Sequence, residues 1–260
     1  MTTEIQVNRD GAVQVVRINR PEKKNALTRA MYDAMTAALK AGDTSDDVAV
    51  HLITGTGGVF SAGNDIGDFA KRATDLNRAG GASSLIGTLP LLKKPVVAAV
   101  DGLAIGVGVT MLFHCDLVYA SPRASFRTPF LDLGLIMEAG SSLTAPRIMG
   151  HQRAFELLCL GETYSAEDGY RAGFVNRVVP ADTLEAEAMK SAQRLAAKPP
   201  GAMAEARRLL KGGTPEEATA RIKEEGAVFA HLLGSDEAKE AFAAFLEKRK
   251  PDFEKLKRKG

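Results

Sequence analysis

Residues 94–121, KPVVAAVDGLAIGVGVTMLFHCDLVYAS, decide the fold of this chain. The segment 95–100 is apolar and valine-rich with no polar alternation, which reads as a buried strand. Asp101-Gly102 reads as a turn, Gly106 and Gly108 as points of close backbone approach, and 107–114 as a helix beginning at them. A helix start offers unpaired N–H donors and the positive end of a dipole. About forty residues earlier a second strand-like run, VAVHLIT (48–54), is broken by Gly55, Gly57 and Gly58 and followed by the small-residue loop FSAGNDI (60–66). Each loop alone reads equally well as an ordinary turn or as glycine packing between strand and helix. Two loops that each aim an N–H at one ligand suit an oxygen that becomes anionic only during reaction, an oxyanion hole made of backbone.

Working outward, residues 5–8 and 13–18 flank Asp10-Gly11 as a hairpin, and Thr28 opens a helix to about Lys40. Strand and helix alternate through residue 120. The spacing predicts a short strand over 125–128, helices over 140–149 and 151–160 with Gly161 as a stop, a helix capped by Ser165 and Asp168, and a last strand over 174–179. Beyond Asp182 the pattern is all helix, interrupted at Pro199-Pro200-Gly201, Gly212-Gly213 and Gly234. The fold class is α/β, with a core over residues 1–195 and a helical region over 196–260.

Composition narrows the function. With 260 residues and 45% hydrophobic content the chain builds a full core. A formal charge of +2 argues against nucleic acid as the main partner. No apolar run approaches the roughly eighteen residues a membrane span needs, and MTTEIQVNRD lacks the charged-then-apolar order of a signal peptide. The expectation is a cytoplasmic protein with no membrane partner. Cys115 and Cys159 lie in apolar stretches without metal-ligand spacing, so free buried thiols are expected and no metal site. Lys23 and Lys24 precede Ala26 and Leu27, and residues 247–260 hold seven Lys or Arg against three acidic residues. These read either as solvated helix ends or as contacts to an anionic ligand.

Taken together, NRPEKKNAL (19–27), AGNDI (62–66), DGLAIGVG (101–108), CDLVYAS (115–121) and AFLEKRKPDF (244–253) resemble the crotonase family, the enoyl-CoA hydratase/isomerase superfamily, over essentially the whole chain. The resemblance implies a crotonase-like (ClpP/crotonase) spiral of ββα units with a helical C-terminal trimerisation region, hence a homotrimer or a dimer of trimers. It also implies an acyl-CoA thioester substrate, with coenzyme A as part of that substrate and no separate cofactor, and an enolate held by two backbone N–H groups. By position the donors are Asn64 and Val107, flanked by Ala62, Gly63, Asp65, Ile66 and Gly106. The family meets the CoA phosphates partly with lysines of the N-terminal motif and C-terminal helix, which points to Lys24 beside Ala26 and Leu27, and to Lys248 from a neighbouring subunit. An aromatic from the neighbour's C-terminal region lines the CoA site in the family, and Phe229 is the match. As a lone Phe on an amphipathic helix, it reads equally as core.

In the family's hydratases two glutamates handle water, and the matching positions here are Thr110 and Phe130, neither of which takes a proton at neutral pH. The acidic residues between Asp116 and Glu156 are Asp132, which reads as a turn residue, and Glu138. Glu138 stands in LGLIMEAGSSL with apolar residues on one side and small ones on the other. It reads as a desolvated base for a carbon acid, or alternatively as a carboxylate satisfying a helix N-terminus. Residues 128–150 resemble the peroxisomal-type 3-enoyl-CoA to 2-enoyl-CoA isomerases, in which one glutamate at the position of Glu138 moves the proton. Phe130, Leu133, Leu135 and Ile136 then line an acyl tunnel. A hydratase or other crotonase-type reaction, and a non-catalytic acyl-CoA-binding protein, are the alternatives. The end KRKG is not a peroxisomal SKL-type signal, which keeps the expected location cytoplasmic.

Overall fold

The computed structural model describes residues 2–65, 67–68, 81–211, 215–247 and 249–257. Nine strands form two sheets among these residues. The larger takes β1 (Ile5–Asp10), β2 (Val13–Ile18), β3 (Val50–Gly55), β4 (Val96–Val100), β6 (Leu117–Ala120) and β9 (Arg177–Val178), in the order β1-β2-β3-β4-β6-β9. The β1–β2 pair is antiparallel and every later pair is parallel. The smaller sheet orders β5 (Leu103–Ile105), β7 (Ser125–Arg127) and β8 (Tyr164–Ser165), and an isolated bridge from Ser61 to Ala104 extends it. After β3, β4 and β6 the chain thus crosses in turn to the small-sheet side, at Ser61, β5 and β7, which is the expected spiral of ββα turns.

Side-chain alternation along the strands divides the core. Val16, Ile18, Ile53, Ala98, Val100, Val118 and Ala120 face the main cluster, which is closed by Met31, Met35 and Leu39 of the Arg29–Thr44 helix. Thr28 caps that helix by accepting from the Met31 N–H. Val13, Val15, Val50, Leu52, Val97 and Ala99 face the other way and are covered by Leu184, Ala188 and Ala192, one stripe of the Leu184–Ala196 helix. Burial on both faces accounts for the uninterrupted apolar run of β4.

Three expectations change in detail, and two short strands were not expected. The strand expected over 174–179 shrinks to Arg177–Val178, because Phe174 leaves the sheet line to stack edge-on against Phe113 and Phe126 while pairing resumes at Asn176, whose N–H donates to Val118 O at 2.8 Å. The helix over 107–114 is α-helical only over Val107–Thr110 and tightens to a 3-10 turn over Met111–His114 before the chain extends at Cys115. The helix over 151–160 widens into a π turn at Glu156–Leu160 and stops at Gly161 as expected. The three-residue β5 and two-residue β8 escape a pattern reading because they are too short to show periodicity.

The C-terminal helices Pro200–Leu210, Pro215–Leu233 and Asp236–Leu246 are tied to the core by charge as well as by apolar contact. Buried Arg207 donates to Asp116 Oδ2 at 2.8 Å and to the Leu92 carbonyl, and Lys211 donates to His114 O at 2.6 Å. Among the described residues no helix is long and apolar enough to cross a membrane.

Candidate active site

The two glycine-bearing loops meet through the main chain. Phe60 N and Ser61 N both donate to Leu103 O, at 3.1 and 2.9 Å, and Ile105 N returns a bond to Ser61 O at 2.9 Å. Gly63 has φ 84°, and a Cβ there would lie 2.7 Å from Ile105 O, so only glycine fits where the loops touch. Gly106 is anchored by its N–H on Arg127 O at 2.9 Å, and Val107 follows as the first residue of its short helix. Among the described residues the N–H groups of Asn64 and Val107 take no hydrogen-bond partner. Tyr32 of the Arg29–Thr44 helix donates its hydroxyl to Asn64 Oδ1 at 2.5 Å, which fixes that side chain. Val107 is fully buried in the core and is not among the described residues lining the chamber, so a side chain is tolerated there.

The N-terminal motif is laced to the first loop. Ala62 N donates to Lys24 O at 2.9 Å, Leu27 N to Gly63 O at 2.7 Å, and Asp65 N to Leu27 O at 2.9 Å. Lys24 and Asn25 both adopt left-handed backbone, φ 52° and 55°. Buried Asn25 holds that conformation by donating to Thr56 O and Val59 O and accepting from Arg20 N. Leu27, expected to touch substrate, instead turns its side chain into the core, where burial of its apolar surface is worth about 2 kcal/mol. Its share in the site is the backbone ladder. Arg20 was not singled out by sequence: its Nη1 donates to Asp65 Oδ2 at 2.8 Å and to Ala26 O at 3.1 Å, and its Nε lies 2.9 Å from Glu4. Burial pushes the Asp65 carboxyl up, but the hydrogen bond from Arg20 and the N–H groups of Asp68 and Gly67 outweigh it and hold Asp65 below its ordinary range. Asp65 is therefore an ionised brace. Nothing in the local sequence pairs residues 20 and 65.

These loops border a chamber of about 710 Å³. One side is cationic, with Arg20, Lys23 and Lys24. Small residues, Ala26, Ala62, Gly63 and Gly106, line it together with Asn64 and Asp65. Its apolar lining is formed by Phe130, Leu133, Leu135, Phe229, Phe242 and Phe245. Of the two readings of Phe229, a neighbour's contribution to the CoA site or core of its own chain, the second holds: it is buried in a cluster of its own chain and lines that chain's chamber. The reason is the path of the C-terminal helices, which fold back over the Leu131–Leu133 turn so that Phe229, Leu233 and Ala238 pack on Phe130 and Leu135. Gly134 permits that approach, since a Cβ there would sit 2.8 Å from the Ala238 nitrogen. Phe242 and Phe245 were missed, although their spacing on one helix was a visible signal. Ile66 and Lys248 lie outside the described residues.

Neither hydratase position carries a carboxylate: Thr110 is a fully buried hydroxyl and Phe130 is chamber wall. Glu138 is 9% exposed and is not among the described lining residues, although Leu135, three residues earlier, is. Its carbonyl accepts from Ser141 N and Oγ, at 3.1 and 2.6 Å, and the two residues after it, Ala139 and Gly140, both have left-handed φ, 64° and 69°. The alternative role weighed for Glu138, satisfying the start of the Ser141–Met149 helix, belongs to another residue. Glu225 accepts there from Gly140 N at 2.6 Å and Ser142 N at 2.9 Å. Asp132 is exposed and pairs with Arg127 at 3.0 Å, as a turn residue would. Both cysteines are free and half-buried, and burial pushes the Cys115 thiol up to about 12. Among the described residues no cluster of three or more His, Cys, Asp or Glu is placed to hold a metal ion.

Comparison with known proteins identifies the family. The family model for enoyl-CoA hydratase/isomerase matches residues 8–257. The chain is 35% identical over 252 residues to enoyl-CoA delta isomerase 2 of Rattus norvegicus, covering 95% of this chain and 64% of that protein, so it spans just under two thirds of that relative's length. It is 32% identical over 253 residues to 2,3-dehydroadipyl-CoA hydratase of Escherichia coli K12, covering 96% of this chain and 98% of that protein. Among solved structures, the enoyl-CoA hydratase/isomerase of Pseudoalteromonas atlantica superposes with a TM-score of 0.91 at 41% identity, over 96% of this chain and 100% of that one. With its ββα spiral, its helical C-terminal region and a family match over nearly its whole length, the chain belongs to the enoyl-CoA hydratase/isomerase family of the crotonase superfamily.

Proposed function

We propose that the protein is an enoyl-CoA isomerase that moves a double bond from C3 to C2 of an enoyl-CoA thioester. The observation that carries this reading is the inventory of acids: the two hydratase positions are Thr110 and Phe130, while the buried Glu138 is relieved of the helix-terminal role by Glu225. A C2 proton of a 3-enoyl thioester is acidified by the carbonyl and by the adjacent double bond. Glu138 removes it, the electron pair spreads into a dienolate, and the thioester oxygen takes up the charge between the N–H groups of Asn64 and Val107. Glu138 then returns the proton to C4. No water is added, so one carboxylate that serves both carbons suffices. Each oxyanion donor is worth about 3 to 4 kcal/mol of transition-state stabilisation. The reading requires the acyl chain to run from the open chamber past Leu135 to Glu138.

The CoA phosphates fall to the cationic side of the chamber. Arg20 is committed to Asp65 and Glu4, which leaves Lys23 and Lys24 as the phosphate contacts. Assembly as a homotrimer or a dimer of trimers would cover Leu209, Leu210 and Leu246, which are two thirds or more exposed in one chain. Sedimentation at the mass of a single chain would overturn that assembly.

Chromatography of products from trans-3-hexenoyl-CoA and, separately, trans-2-hexenoyl-CoA tests the chemistry. The expected result is conversion of the first to the 2-enoyl ester without hydration of the second. Hydration of the second favours the hydratase, and tight binding without turnover of either favours an acyl-CoA-binding protein. Glu138→Gln is expected to lower turnover at least 1,000-fold, about 4 kcal/mol, while CoA-ester binding persists. Full activity in that variant would remove Glu138 from the mechanism.

A further inference from the structure

The turn that carries Glu138 is held from outside by two buried side chains distant in sequence. His114 Nε2 lies 2.6 Å from Ala139 O, and since a carbonyl only accepts, that nitrogen carries the proton. Burial pushes His114 down to about 4, so the ring is neutral and this tautomer is set by Ala139. On the other side Glu225, 4% exposed on the Pro215–Leu233 helix, accepts from Gly140 N at 2.6 Å and Ser142 N at 2.9 Å. Two consecutive left-handed residues, one of them alanine, form a turn that is held only when its surroundings over-determine it.

We propose that Glu225 is a positioning residue, which together with His114 clamps the Ala139–Gly140 turn so that the Glu138 carboxylate is held in one orientation over the acyl chain. This rests on the reading of Glu138 as the base. A carboxylate is suited to the task because both of its oxygens accept, so each backbone N–H has its own partner. Burial raises the Glu225 carboxyl, opposed by Ser142, by the Gly140 N–H and by Arg221, whose Nη1 donates to Ser142 Oγ at 3.2 Å. The same helix carries Phe229 into the chamber wall. One rigid element thus sets both the hydrocarbon wall and the base, which couples acyl-chain seating to proton transfer.

Glu225→Gln is the test, because an amide oxygen accepts one of the two N–H groups while the amide nitrogen opposes the other. Glu225→Asp, which keeps the charge and loses reach, is the second variant should the first fail to fold. The expected result is a kcat for 3-hexenoyl-CoA lowered 10- to 100-fold with KM within threefold of the parent. The carboxyl carbon resonance of Glu138, assigned by its loss in Glu138→Gln, is expected to shift or broaden. An unchanged kcat with an unchanged Glu138 resonance overturns the proposal. So does a parallel fall in kcat, CoA-ester affinity and melting temperature with that resonance unmoved, which makes Glu225 a prop of the fold alone. Because the resonance is read without turnover, it decides the clamp even if Glu138→Gln proves active and the isomerase reading falls.

Discussion

The two glycine-bearing loops and the turn that carries Glu138 are held by different means. The loops at 60–65 and 103–107 are joined to each other and to the N-terminal motif by main chain on main chain, Ala62 to Lys24, Leu27 to Gly63, Ile105 to Ser61 and Gly106 to Arg127, with Tyr32 and Arg20 bracing Asn64 and Asp65. The turn at 138–140 is fixed by side chains from far along the chain, His114 and Glu225. The difference teaches where each part is vulnerable. A backbone lattice tolerates changes of side chain and fails when a Cβ enters a contact that has no room for one. A side-chain clamp tolerates small shifts of backbone and fails when one polar group is exchanged.

The harshest way to break the first half of the comparison is Gly63→Ala. The new Cβ meets Ile105 O at 2.7 Å on a residue with φ 84°, so the loops must separate or the backbone must leave its conformation. On the proposed mechanism, displacing the Asn64 N–H by even part of an ångström removes most of its share in the oxyanion contact. A fall in kcat of about 100-fold or more is expected, with the loss in kcat larger than any rise in KM. Steady-state kinetics with 3-hexenoyl-CoA check it, and a parental kcat would mean that the loops are not held as the main-chain bonds imply.

The same contrast sets how much was legible in the sequence. Gly63 and Gly108 are legible because a Cβ at either would press on the facing loop, whereas Gly106, expected as a close approach, has open space around it and needs glycine for its positive φ; the strands before them announce themselves by their valines. The absence of acids at Thr110 and Phe130, and the presence of Glu138, are also readable in one dimension. What holds Glu138 was not. Glu225 lies 85 residues from Gly140 in an amphipathic helix whose sequence gives no sign that one of its several glutamates is buried. Arg20 and Asp65 are 45 residues apart and pair only once the N-terminal motif folds against the first loop. Phe229 reads as well for a neighbour's site as for its own core, because sequence order cannot tell whether a helix folds back on its own chain.

The gentlest probe sharpens the second half of the comparison through pH. Folded His114 stays neutral down to about 4, whereas in the unfolded chain it takes a proton near pH 6.5. Between these values the unfolded state holds more protons, so stability falls as pH falls, by about 3 kcal/mol across the window, and this group contributes no further loss below it. Glu225 acts in the opposite sense, because its raised carboxyl takes up a proton in the folded state first and so regains stability on acidification. Asp65, held below its ordinary range by Arg20, loses its contribution only at lower pH. The difference between parent and His114→Gln isolates the histidine, since the amide donates to Ala139 O without titrating. Urea midpoints at pH 7, 5.5 and 4.5 are expected to decline less steeply in the variant, and parallel declines would show that the buried ring is not the origin of the acid slope. Asp65 in the first loop titrates only at lower pH, so an acid sensitivity that tracks His114 would belong to the turn that carries Glu138 and not to the loops at 60–65 and 103–107.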